Sequence, residues 1–163
     1  GEEKFPYIDE FILEVDLLVF HPVEYISDFL SIGAKSFVIH VDSTDHVSEC
    51  LKAIKDAGCE VGLGIKPSGD ISLIELFILY ADFVQFMGND RVGYNGVELD
   101  RTVLDKIKNF HEMHPSIPLQ IDIGVSVETI PELKEAGVKR FISGSAIFTA
   151  PDIKQAIKQL SSM

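Results

Sequence analysis

At 163 residues the chain is sized for one domain, long enough to bury roughly two-thirds of the surface its unfolded form would expose. Hydrophobic residues at 46% with 25% charged residues exclude disorder as the default. The net charge of −12, with no basic cluster, argues against a nucleic-acid partner, whose phosphates need cations to displace their counterions. The predicted elements then alternate along the chain. Residues 5–11 read as the end of a helix feeding a first strand over 12–19, and a helix follows over 22–32. Strand 36–40 leads to helix 47–57, strand 60–65 to helix 71–80, and strand 83–87 to helix 101–113. Strand 119–122 leads to helix 127–136, and strand 140–143 to a helix that begins at once and a last helical stretch over 152–160. Each strand is a short apolar run bounded by Gly, Pro or an acidic residue, and each helix repeats apolar residues at spacings of three and four. Gly33, Gly58 and Gly137 fall just past three helices, where a left-handed residue ends the helical turn.

Six strand–helix units in alternation are the signature of a parallel sheet with crossover helices, and no linker or low-complexity segment divides them. At about 27 residues per unit the chain is two units short of a closed eight-unit barrel, which typically needs 200 residues or more. From the pattern alone, a six-unit barrel and an open doubly wound sheet both remain. Cys50 and Cys59 are too few for a disulfide framework and read as reduced thiols. No signal pattern opens the sequence, and the longest apolar run, 71–87, is interrupted by Glu75 and Asp82. The expectation is a cytoplasmic protein with no membrane partner.

The chemistry concentrates at two strand ends. At Ser143-Gly144-Ser145 an apolar strand breaks into a helix: glycine lets the backbone approach an anion, Ser145 adds a hydroxyl donor, and the new helix presents amide N–H groups. An ordinary helix cap explains the tripeptide equally well. About twenty residues upstream, Leu119-Gln-Ile-Asp122-Ile-Gly124 is a second strand that ends in an acid and a glycine turn.

Read together, these segments resemble the ribulose-phosphate 3-epimerase family over nearly the whole chain. Asp16-Leu-Leu-Val-Phe-His-Pro22 is similar to the family's His-Leu-Met-Val segment with its following proline. Gly33 to Asp42 resembles its Gly-Ala-Asp and His-Val-Glu stretch, and Gly62-Leu-Gly-Ile-Lys-Pro67 its Gly-Leu-Ala-Leu-Asn/Lys-Pro strand. Met87 followed by Gly93-Tyr94-Asn95-Gly96 resembles its Met and Gly-Phe-Gly-Gly loop, Ile121-Asp122-Ile-Gly124-Val125 its Val-Asp-Gly-Gly-Val, and Ser143 to Phe148 is the nearest match. The resemblance implies a (β/α)8 barrel of the ribulose-phosphate-binding type, with six of eight units present. It also implies a reaction that moves a proton at C3 of a ketopentose 5-phosphate between two faces through two carboxylates. A divalent metal, Mg, Mn, Zn or Fe, would steady the enediolate.

Carried over residue by residue, the resemblance makes Asp122 a proton carrier and metal ligand, and Asp16 a metal ligand where the family has a histidine. Gly93, Tyr94, Asn95, Gly96, Gly124, Gly144 and Ser145 become substrate and phosphate contacts. The family's other catalytic Asp, with its His ligand and a substrate-binding Ser, has no equivalent here, so efficient inversion by this chain alone is not expected. Ile123 replaces a glycine and is hard to reconcile with a positive φ, Leu18 replaces a methionine, and Asn89, Asp90 and Arg91 carry a one-residue insertion. His40 ends a strand and reads as a substrate contact or a structural histidine. His21, His46, His111 and His114 read as surface residues, Lys66 as positional, and Leu76 and Phe77 as core. Another sugar-phosphate enzyme on the same barrel, a decarboxylase or isomerase, and a non-catalytic phosphate-binding homologue remain as alternatives. Two sheet edges left by six barrel strands predict a homo-oligomer.

Overall fold

The structure, a computed structural model, describes residues 10–163. The helix end read over 5–11 lies almost wholly outside the described residues. Among them, six strands follow one another in sequence order across one sheet, the topology of a β/α barrel built from six strand–helix units. The described residues form two compact units, one running to Ile65 and including Asp70–Val84, the other made of Lys66–Gly69 and Gln85–Met163.

In the first unit, β1 (Glu14–Leu17), β2 (Ser36–His40) and β3 (Glu60–Ile65) pair in parallel, with Phe37 between Val15 and Val61. All five residues of β2 are buried, as expected of a parallel strand covered on both faces. Helix α1 (Val23–Ser31) buries Ile26. Helix α2 (Val47–Asp56) buries Val47, Cys50, Leu51 and Ile54, whose spacing places them on one stripe that packs onto β2 and β3. Burying a side chain such as Ile54 contributes roughly 1.5–3 kcal/mol.

Gly33, Gly58 and Gly137 do end their helices in the left-handed region, at φ 102°, 72° and 107°. Each turn repeats the same two bonds. Around Gly58, its own N–H donates to Lys55 O at 2.9 Å and that of Cys59 to Ile54 O at 3.1 Å, closing the last helical carbonyls and aiming buried Cys59 into β3.

The helix predicted over 71–80 is broken. Helix α3 (Ser72–Glu75) stops after one turn and a 3-10 turn follows at Ile78–Tyr80. With the turn interrupted, Ile74 is the buried residue, Phe77 is half-buried, and Leu76 and Leu79 are 67% and 93% exposed, so the core assignment of Leu76 does not hold. Strand β4 (Phe83–Met87) is buried throughout, as predicted.

In the second unit, α4 (Thr102–Met113) buries Val103, Ile107 and Phe110, and Phe110 meets Phe86 edge-on at 5.7 Å. Strand β5 (Leu119–Asp122) pairs in parallel with β6 (Arg140–Phe141), two residues shorter than predicted. Helix α5 (Ile130–Glu135) lies between them in sequence, and α6 (Ser145–Phe148) and α7 (Ile153–Ser161) follow. His111 and His114 are half-buried rather than superficial. The His111 ring covers Gly137, where a methyl group would stand 2.5 Å from it, and the His114 ring lies 4.7 Å from that of Phe110.

Candidate active site

Strands β4, β5 and β6 all release the chain toward one cavity of about 260 Å³, and its wall is made of residues that follow their last residues. From the β4 loop come Gly93, Tyr94, Asn95 and Gly96. Asp122 and Gly124 stand at the end of β5, and Gly144 and Ser145 follow β6. These eight candidates, far apart in sequence, share one surface. Val97, Ile123, Val125, Ile142 and Ser143 complete it and carry no polar motif that sequence reasoning would single out, except for Ser143.

Asp122 is placed by alternation. Buried Gln120, two residues earlier on the same face of β5, donates through Nε2 to Gln85 Oε1 at 2.7 Å, so a polar row runs along the strand to the half-buried carboxylate at its end. The Asp122 Oδ1 accepts the N–H of Ile123 at 2.8 Å, which fixes the direction of the side chain. The backbone there is tightly seated: Gly88 N–H donates to Asp122 O at 2.6 Å, and a methyl group on Gly88 would stand 2.1 Å from Ile123 O. Ile123 takes φ 74°, so the branched residue occupies the left-handed region that its sequence argued against.

Beyond it the chain is locked again. At Gly124, with φ 75°, a methyl group would stand 2.6 Å from the Leu99 backbone. Thr129 Oγ1 donates to Gly124 O at 2.7 Å and accepts Ser126 N–H at 2.9 Å. The Ser126 hydroxyl and its own amide hold Glu128 below the usual carboxylate range. Gly144 is different in kind. Its φ is −101° and a methyl group there would meet no atom within 4 Å, so neither backbone angle nor packing selects glycine. What glycine does provide is open space along the cavity wall in front of the Gly144–Ser145 peptide.

His40 and Asp16 form a separate pair in the first unit. The register sets Asp16 opposite Val38, and the wholly buried His40, two residues on, reaches Asp16 Oδ1 with Nε2 at 2.8 Å. Its ring fits because β3 has Gly64 beneath it, where a methyl group would lie 2.7 Å away. His40 is thus buried and held by Asp16. Asp16 and Asp122 fall in different units, and among the described residues no three His, Cys, Asp or Glu side chains gather to hold a metal ion. Asp16 is engaged through Oδ1 by His40, and Asp122 through Oδ1 by the Ile123 N–H.

A β/α protein that gathers glycines, a serine and one placed carboxylate around a cavity at its strand ends has the arrangement of β/α-barrel enzymes, which carry their sites there. The sequence matches the ribulose-phosphate 3-epimerase family over residues 3–148, and the chain belongs to that family. It is 31% identical over 154 residues to the ribulose-phosphate 3-epimerase of Escherichia coli (strain K12), covering 92% of this chain and 68% of that one. With the ribulose-phosphate 3-epimerase of Aquifex aeolicus (strain VF5) it shares 29% identity over 155 residues, covering 93% and 69%. Its fold is similar to that of 3-hexulose-6-phosphate synthase from Salmonella typhimurium, with a TM-score of 0.75 and 19% identity over 93% of this chain and 72% of that one.

Proposed function

We propose that the cavity binds ribulose 5-phosphate and that Asp122 exchanges the proton at its C3, in the interconversion of ribulose 5-phosphate and xylulose 5-phosphate. The observation that carries the reading is the convergence of Asp122 with the glycine turns at Gly124 and Gly144 on one cavity. In this reading the amides around Gly124, Gly144 and Ser145 and the Ser145 hydroxyl take the phosphate, and Gly93, Tyr94, Asn95 and Gly96 wall the sugar. Asp122, ionised, removes the C3 proton, and the electrons move into the C2 carbonyl to give an enediolate. Inversion needs an acid on the opposite face. Asp122 serves one face, and acting alone it would exchange the C3 hydrogen with solvent without efficient inversion.

Calorimetry with ribulose 5-phosphate tests the cradle: Ser145→Asp brings a charge against the phosphate and should abolish binding, and unchanged binding would remove the proposed site. Gly144→Ala should weaken binding while leaving stability within about 0.5 kcal/mol. Asp122→Asn keeps the acceptor for Ile123 N–H but lacks the base. It should slow deuterium uptake at C3 by about 10² to 10⁴. A divalent metal at Asp122 is tested separately by titrating Mn²⁺ and Zn²⁺ into wild type and the same variant, with the heat of binding lost in the variant if a metal sits there.

Among the described residues no helix is long and apolar enough to cross a membrane; a cytoplasmic location is part of the proposal. Exposed Leu76, Leu79 and Tyr80, clustered around one turn, support a homo-oligomer, because such a patch in water favours association. Sedimentation should give a dimer or larger, with Leu79→Glu shifting it toward monomer.

A further inference from the structure

The loop between β4 and α4 holds a cation that the proposed phosphate cradle lacks. Arg91 lies in the stretch that carries the one-residue insertion, and its neighbours are anchored. Asn89 Oδ1 accepts Arg91 N–H at 3.0 Å, Asn89 Nδ2 donates to Glu98 O at 3.1 Å, and Asp90 Oδ1 accepts both the N–H and the hydroxyl of Ser68, at 3.1 and 2.9 Å. The Arg91 guanidinium carbon rests 5.5 Å from the centre of the Tyr94 ring, and Tyr94 lines the cavity.

Three other cations of this acidic chain are engaged within the protein. Lys55 reaches Asp82 at 2.7 Å, Arg101 reaches Glu132 at 3.0 Å, and Lys106 donates to the carbonyls of Pro67 and Gly69 at 2.5 and 2.6 Å. Asp90, next to Arg91, is engaged by Ser68, and Asp100 by the hydroxyl and amide of Thr102. Arg91 instead meets an aromatic face, a contact that steadies the cation while leaving its in-plane N–H donors for an anion. A phosphate dianion entering a protein of charge −12 meets repulsion that neutral amides at Gly124 and Gly144 do not cancel.

We propose that Arg91, held beside the cavity by Tyr94, supplies the counter-charge for the substrate's phosphate and sets the preference of this site for phosphorylated over neutral sugars. The inference rests on the reading of the cavity as a sugar-phosphate site. Planar guanidinium donors match phosphate oxygens in pairs, so a lysine there should be a partial substitute.

The test is calorimetry of wild type, Arg91→Ala, Arg91→Lys and Arg91→Glu with ribulose 5-phosphate and with ribulose, at low and at physiological salt, with Lys52→Ala on α2 as a charge-matched control. The expected result is at least a tenfold loss of ribulose 5-phosphate affinity in Arg91→Ala, a larger loss in Arg91→Glu, and partial recovery in Arg91→Lys. The salt dependence should be shallower in Arg91→Ala, ribulose binding unaltered, and the control equal to wild type. Wild-type binding of ribulose 5-phosphate with Arg91→Ala within twofold, or an equal loss for the neutral sugar, would overturn this inference alone. No wild-type binding would overturn it together with the function proposed above.

Discussion

Ile123 is a β-branched residue at φ 74°, and the strain at that position can be measured apart from the side chain that causes it. A non-glycine residue in the left-handed region costs about 1–2 kcal/mol. Glycine escapes that cost but loses about 0.5–1 kcal/mol through the greater freedom of its unfolded chain. Comparing Ile123→Gly with wild type mixes these terms with the loss of a half-buried side chain, and the sum should lie near zero. Comparing Ile123→Gly with Ile123→Ala does not, since both lack the isoleucine. The expected result is that the glycine variant is the more stable of the two by about 0.5–1 kcal/mol, whereas the same exchange in a helix or strand destabilises by a similar amount. For a chain of this size that is about 1–4 °C in melting temperature. Urea unfolding followed by circular dichroism gives the difference directly. A glycine variant less stable than the alanine variant would show that the turn after β5 relaxes out of the left-handed region, and the account of its strain would fail.

Other positions give sharper losses. Gly88→Ala would bring a methyl group to 2.1 Å from Ile123 O, a backbone atom that cannot move aside, and should cost at least about 3 kcal/mol, read as a fall in the urea midpoint. Gly64→Ala meets the wholly buried His40 ring at 2.7 Å and should destabilise by about 1–3 kcal/mol, with the His40 NMR resonances shifted as the ring is pushed from Asp16. Burial, with a smaller contribution from the Glu49 charge, pushes the Cys50 thiol up from 9.0 to about 11. Because the unfolded thiol ionises first, its contribution is fully present below pH 9.0 and falls away as pH rises to about 11, and Cys50→Ala should flatten that part of the stability profile.

What the sequence made legible follows from how parallel strands are buried. Strands β2, β3, β4 and β5 have the predicted limits because each is an apolar run shut in by glycine, proline or an acid, and both faces are covered, so no alternation blurs the ends. β1 and β6 are shorter than their apolar runs: Val19 has the composition of a strand without its pairing, and at Ile142 a last N–H donates to Ile121 O at 2.9 Å before the chain leaves the sheet. The break after Glu75 was hidden for a similar reason. Leu76, Phe77 and Leu79 keep a helical spacing that the backbone abandons, and nothing in residue type separates an apolar side chain in a 3-10 turn from one on a helix face.

For the site, the division lies between residues whose role is written in their own neighbourhood and residues whose role depends on what crosses them. Asp122 beside Gly124, and Gly144 before Ser145, are local patterns, and they meet on one cavity. The Asp16–His40 bond needs the β1–β2 register, and the place of Arg91 needs the fold of its loop back onto Tyr94. Gly88 and Gly144 make the distinction concrete, since both follow a strand closely and look alike in sequence. At Gly88 the carbonyl of Ile123 fills the space a methyl group would take, so the fold alone requires glycine. At Gly144 no protein atom lies within 4 Å of that space, and the requirement falls to whatever approaches the cavity from solution. A glycine the fold does not need, on the same wall as a placed carboxylate, is the stronger mark of a ligand. Alanine at 144 should therefore alter binding without altering stability, and alanine at 88 should do the reverse.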